Sequence, residues 1–88
     1  MQNRKKLSFY NCLCLLQDCV EAGMIQKDPN NKDCVLVYRA ASERFEEGWY
    51  STYLFSAAHE LADSEEDQIS LMEDYQKKTG KEFARRAI

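Results

Sequence analysis

The chain has 88 residues, which suits a single domain, and a chain of this size buries roughly 60–65% of the surface its unfolded form exposes. One modest core follows from that, without room for a deep catalytic cleft. A hydrophobic content of 44% and an aromatic content of 11% argue against wholesale disorder, the three Gly and single Pro favour long regular elements, and a net charge of −3 names no partner by itself.

Arg4, Lys5 and Lys6 open the chain, and residues 1–6 read as a flexible basic N-terminus. An export signal is not expected. The apolar run Leu7–Leu16 is interrupted by Ser8, Asn11, Cys12 and Cys14, no small-x-small cleavage site follows, and Cys19 is preceded by Gln17 and Asp18 rather than a small residue. No stretch approaches the roughly 18–20 apolar residues that span a bilayer. No membrane association is expected. A cytoplasmic location with reduced thiols is.

The first element is a helix. Ser8 suits the N-cap and Gly23 the position after the C-cap, followed by apolar Met24. At about 100° per residue, Phe9, Cys12, Leu13, Leu16, Cys19 and Val20 share one face, with Leu15 at its edge. Asn11, Gln17, Asp18 and Glu21 share the wet face, and Cys14 falls on that side as the candidate exposed thiol. Cys12 and Cys19 lie about 10.5 Å apart along such a helix, beyond the roughly 7 Å a disulfide tolerates. Cys12 and Cys14 diverge, so at most one bridge is available, through Cys34. C-x-C-x₄-C on a helix does not converge on a metal, and the lone His59 is distant in sequence. Neither a metal nor a cofactor is expected.

Asp28 to Asp33, DPNNKD, is the strongest turn signal. CVLVYRA, residues 34–40, reads as a strand apolar on both faces, hence central or covered on both sides. Met24 to Lys27 offers an edge strand. Residues 40–47, AASERFEE, suit either a helical turn ending at Gly48 or a strand in which Phe45, Glu47, Trp49 and Ser51 alternate on one face. The preferred reading is a hairpin whose second strand centres on GWYS, residues 48–51.

Ser51 or Thr52 then caps a helix to about Asp63, burying Leu54, Ala58, Leu61 and Ala62 and exposing Ser56, His59, Glu60 and Asp63. Ser64 opens a capping box, with Asp67 in the place of the usual Glu or Gln. The helix it starts runs to about Lys78 and buries Ile69, Met72 and Tyr75. After it, TGKE, residues 79–82, starts a short final helix with Phe83 inward. Alternatively the helix continues through Gly80, laying Ile69, Met72, Gln76, Thr79 and Phe83 along one stripe for a partner helix. The expected fold class is α+β: an N-terminal helix, a small antiparallel hairpin or sheet, and two C-terminal amphipathic helices.

Little here suggests catalysis. The single histidine, His59, sits on a wet face one turn from Asp63, where it reads as a solvated surface residue. No serine lies in a nucleophile elbow and no glycine-rich loop is present. A non-enzymatic interaction or regulatory module, with a protein partner or self-association, is the expected function. Trp49, Tyr50, Tyr53 and Phe55 fall within seven residues. Trp49 suits the core, and Tyr50 and Phe55 suit an exposed pair beside Glu60 and Asp63. From Glu46 to Asp74 the chain carries nine acids and no Lys or Arg, which suits a basic or mixed-charge partner. The alternative is a nucleic-acid-binding module using Lys77, Lys78, Lys81, Arg85 and Arg86, a cluster that Arg4 to Lys6 would enlarge if the termini meet. A pI near 5.1 counts against it.

Overall fold

The computed structural model describes residues 6–49 and 53–87. The architecture is α+β. Helix α1 (Phe9–Glu21) leads into a three-stranded antiparallel sheet of β1 (Ile25–Asp28), β2 (Asn31–Arg39) and β3 (Arg44–Glu47). Helices α2 (Leu54–Ala62) and α3 (Glu65–Thr79) follow. The strand order is β1-β2-β3, so β2 is central and β1 is the expected edge strand.

Local signals account for α1. The Ser8 hydroxyl accepts from the Asn11 N–H at 3.1 Å. At the other end the Met24 N–H donates to the Cys19 carbonyl at 2.8 Å and the Gly23 N–H to the Val20 carbonyl at 3.0 Å, the Schellman pattern. Cys12, Leu15, Leu16 and Cys19 from this helix form one core cluster with Met24, Val35, Val37, Trp49, Ala57, Ala58, Leu61 and Leu71.

The β1–β2 connection turns at Pro29 and Asn30, with Asp28 opposite Asn31. β3 begins earlier than the GWYS reading. Arg44 already pairs with Arg39, and the strand ends at Glu47 after a turn over residues 40–43. Beyond Glu47 the ladder continues irregularly: the Gly48 N–H donates to the Val35 carbonyl at 2.9 Å, and the Val35 N–H donates to the Trp49 carbonyl at 3.0 Å. Two residues thus face one, a β-bulge. The extra residue reverses the alternation that placed Trp49 with Phe45 and Glu47, so Trp49 joins Val35 and Val37 in the core at 8% exposure. Gly48 sits so close to Val37 that a Cβ there would run into the Val37 side chain.

Two helix boundaries and one helix phase differ from the sequence reading. The N-cap of α2 is Tyr53, whose side chain makes no capping bond, and Ser51 and Thr52 lie outside the described residues. The Ser64 hydroxyl accepts from the Asp67 N–H at 3.2 Å. The reciprocal half of the box is replaced by a Ser64 N–H to Leu61 carbonyl bond at 3.1 Å, because the Asp side chain is one methylene short. Along α3 the buried residues are Gln68, Leu71 and Asp74, whereas of the expected face Met72 and Tyr75 are half-buried against the core and Ile69 is exposed. Tertiary hydrogen bonds explain the shift. Gln68 Oε1 accepts from the Leu7 N–H at 2.8 Å, and its Nε2 donates to the Leu61 carbonyl at 2.9 Å. Asp74 receives Arg39 at 3.0 Å and the Ala40 N–H at 3.2 Å. α3 ends at Gly80, which is left-handed (φ 78°) and donates its N–H to the Gln76 carbonyl at 2.8 Å. Neither a final helix nor a continuous one forms, and residues 81–87 carry no regular element.

Candidate functional site

The exposed flank of α2 collects the aromatic residues. Phe55 and His59 are one turn apart on the helix, so their rings meet at 5.2 Å, edge to face. Phe9, in the first turn of α1, closes the group at 4.9 Å from Phe55 and 4.4 Å from His59. The imidazole therefore lies against Phe9 while remaining exposed, as its place on the wet face implies. Phe55 remains 59% exposed and Tyr53, at the start of the helix, 74%. On the other side of Tyr53 an apolar groove of about 210 Å³ opens between Leu16 and Val20 of α1, Trp49 and Leu54.

Of the residues assigned to an interaction surface, the structure unites only part. Tyr50 lies outside the described residues. Phe55 and Asp63 share a flank with His59. Glu60 is turned about 140° around the helix from Phe55 and borders a polar hollow of about 270 Å³ with Glu47, Asp67 and Arg39. α2 thus shows aromatic rings on one side and the Glu60 carboxylate on the other. The role of Phe9 was hidden in sequence, because it falls on the apolar face of α1 and reads as core.

The basic cluster is also divided. Arg86 is bound to Asp18 at 2.7 Å. Lys78 lies over the Tyr38 ring at 4.9 Å, favourable placement for a cation on a π face. Arg85 donates to the Lys6 carbonyl at 3.3 Å, so the two terminal segments do meet. Arg4 and Lys5 lie outside the described residues. Lys77 and Lys81 are exposed.

All four cysteines are free and buried. Cys14 is a correction to the sequence reading. At 9% exposure it is no surface thiol, since residues 81–87 return across the polar side of α1 and cover it together with Asn11. Burial pushes the Cys12 thiol up to about 11 and, together with the Asp18 and Asp74 carboxylates, the Cys19 thiol up to about 12. Cys34 is raised too, by burial and by Glu47, Asp28 and Asp33. These are protonated packing groups at neutral pH. Among the described residues no three His, Cys, Asp or Glu side chains converge as metal ligands, and no helix is long and apolar enough to cross a membrane. No family model, curated protein or solved structure matches this chain.

Proposed function

We propose that this chain is a small non-catalytic interaction module that receives a protein partner, or a second copy, on the aromatic flank of α2. The observation that carries the reading is Phe55, a large ring left 59% exposed while braced by Phe9 and His59. A rigid, partly exposed aromatic group is a favoured interface anchor, because it buries much area on binding at little cost in conformational entropy. The charge pattern narrows the partner. Acids without intervening bases run from Glu46 to Asp74, and Asp63, then Glu60, follow the ring cluster around the helix. A partner with an apolar patch rimmed by basic groups complements both features.

The test compares the full chain with its Phe55→Ala and Glu60→Lys variants in affinity capture from cell extract, with thermal unfolding run in parallel. Proteins retained by the native chain should fall about tenfold or more with Phe55→Ala, a loss of about 1.4 kcal/mol or more, as for the minority of interface residues that cost above about 1 kcal/mol when truncated. The unfolding midpoint should stay within a few degrees. Equal retention by the variant, or a large fall in the midpoint, refutes the reading. The second result would place Phe55 in the core.

A further inference from the structure

Residues 81–87 leave α3 at Gly80 and lie along the groove between α1 and α3, running back toward the N-terminal ends of both helices. Phe83 settles beside Ile69 and Met72 at the edge of a shallow groove of about 310 Å³. Arg86 reaches Asn11, in the first turn of α1. There the Arg86 N–H donates to Asn11 Oδ1 at 2.7 Å, while Asn11 Nδ2 donates to the Arg86 carbonyl at 3.0 Å. A side-chain amide thereby satisfies both backbone groups of one residue, as a neighbouring strand would. The Arg86 guanidinium donates to Asp18 at 2.7 Å and covers the Phe83 ring at 5.6 Å.

These contacts form a receptor site for an extended segment: an apolar shelf, an asparagine that reads backbone, and a carboxylate that takes an arginine three residues after an aromatic ring. They join the segment to the groove and are indifferent to which copy supplies it. The link between them is Gly80, left-handed at φ 78° and exposed, with nothing within 4 Å of a Cβ position. A glycine in that conformation changes direction at low steric cost.

We propose that residues 81–87 are an exchangeable arm, and that a second copy of this chain places its Phe83–Arg86 segment in the α1/α3 groove to give a reciprocal, two-fold dimer hinged at Gly80. The second copy is the fitting occupant because it carries the very segment the groove is seen to hold, and each copy offers both halves. Exchange of an identical element through a short hinge is a low-cost route to dimers. The arm uses none of the α2 residues of the proposed docking flank, so either reading can fail alone.

The test uses two charge reversals in the full chain. Asp18→Arg and Arg86→Asp each oppose like charges in the closed monomer. Mixed together, they restore both ion pairs only between copies. Sedimentation velocity should show each variant alone as a monomer and the mixture as a dimer, with the double variant Asp18→Arg/Arg86→Asp behaving as the native chain. A mixture that stays monomeric overturns the proposal. Should a single variant not fold, the native chain decides: isotopically light and heavy copies are incubated at high concentration and treated with a lysine cross-linker. Links between Lys6 and Lys81 that join a light to a heavy copy are expected. Links confined to one isotope overturn the proposal.

Discussion

Gln68 is 1% exposed, and its amide bridges Leu7, just before the α1 N-cap, to the last turn of α2. Gln68→Leu keeps helix propensity and approximate volume but removes both ends of the bridge. The Leu61 carbonyl keeps its Ser64 N–H, so the main loss is the Leu7 N–H, buried beside a 3% exposed side chain. An orphaned buried donor costs about 1–3 kcal/mol. The lost bonds to the Leu61 and Ala62 carbonyls add to this, the gain from burying Leu offsets part of the sum, and a net loss of about 2 kcal/mol is expected. At about 4–8 °C per kcal/mol for a domain of this size, the midpoint should fall by about 8–16 °C. Gln68→Glu should be worse at neutral pH, because a buried carboxylate would face the carbonyls of Leu61 and Ala62 instead of donating to them. Those carbonyls and the burial raise its folded pKa above the unfolded value of about 4.3. The folded state then holds the proton more tightly, and the deficit should shrink as pH falls through the folded pKa. Urea unfolding followed by the single tryptophan, Trp49, measures both effects. A loss below about 0.5 kcal/mol for Gln68→Leu, the range of ordinary surface changes, would refute the argument that Gln68 sets the phase of α3.

Gly48→Ala should cost about 1–3 kcal/mol by overpacking against Val37, and much less in a Val37→Ala background. Urea denaturation of the four members of that cycle measures the coupling, and additive costs would show that the bulge has room. Alkaline stability provides the other check. Unfolded thiols ionise near 9.0, whereas folded Cys12 and Cys19 keep their protons to about 11 and about 12. Unfolding therefore releases protons across this window, and stability should fall as pH rises from about 9 to 12. Cys19→Ala should flatten that fall in urea titrations, and an unchanged slope would place the alkaline sensitivity elsewhere.

Much of the local structure was legible because its causes lie within a few residues of each other. Ser8 caps α1 from three residues away, Gly23 and Met24 close it by backbone bonds to Val20 and Cys19, and Pro29 sets the β1–β2 turn. The apolar run from Cys34 announced a central strand for the same reason. α2 also follows from periodicity, since Ala58 and Leu61 are buried and Glu60 and Asp63 exposed as their spacing dictates. The exposed Phe55 was legible too. Its bracing by Phe9 was not, because only the packing of α1 on α2 brings the two rings together.

The features that escaped the sequence depend on distant partners. Apolar periodicity favoured Ile69, Met72 and Tyr75 as the buried face of α3, yet Ile69 is exposed, Met72 and Tyr75 are only half-buried, and Gln68 and Asp74 are buried more deeply. Their polar groups meet Leu7 some sixty residues earlier in the chain, and Arg39 at the end of β2 and Ala40 in the turn after it. Trp49 changed faces because one extra residue at the bulge reversed the alternation of β3, a matter of register against Val35. Cys14 lost its exposure, and Arg86 its freedom to meet phosphate, when residues 81–87 crossed α1. Spacing along a helix ranks its faces by polarity. Which face is covered was decided only in the tertiary structure, because a polar stripe is buried at little cost wherever a remote segment supplies the matching donors and acceptors.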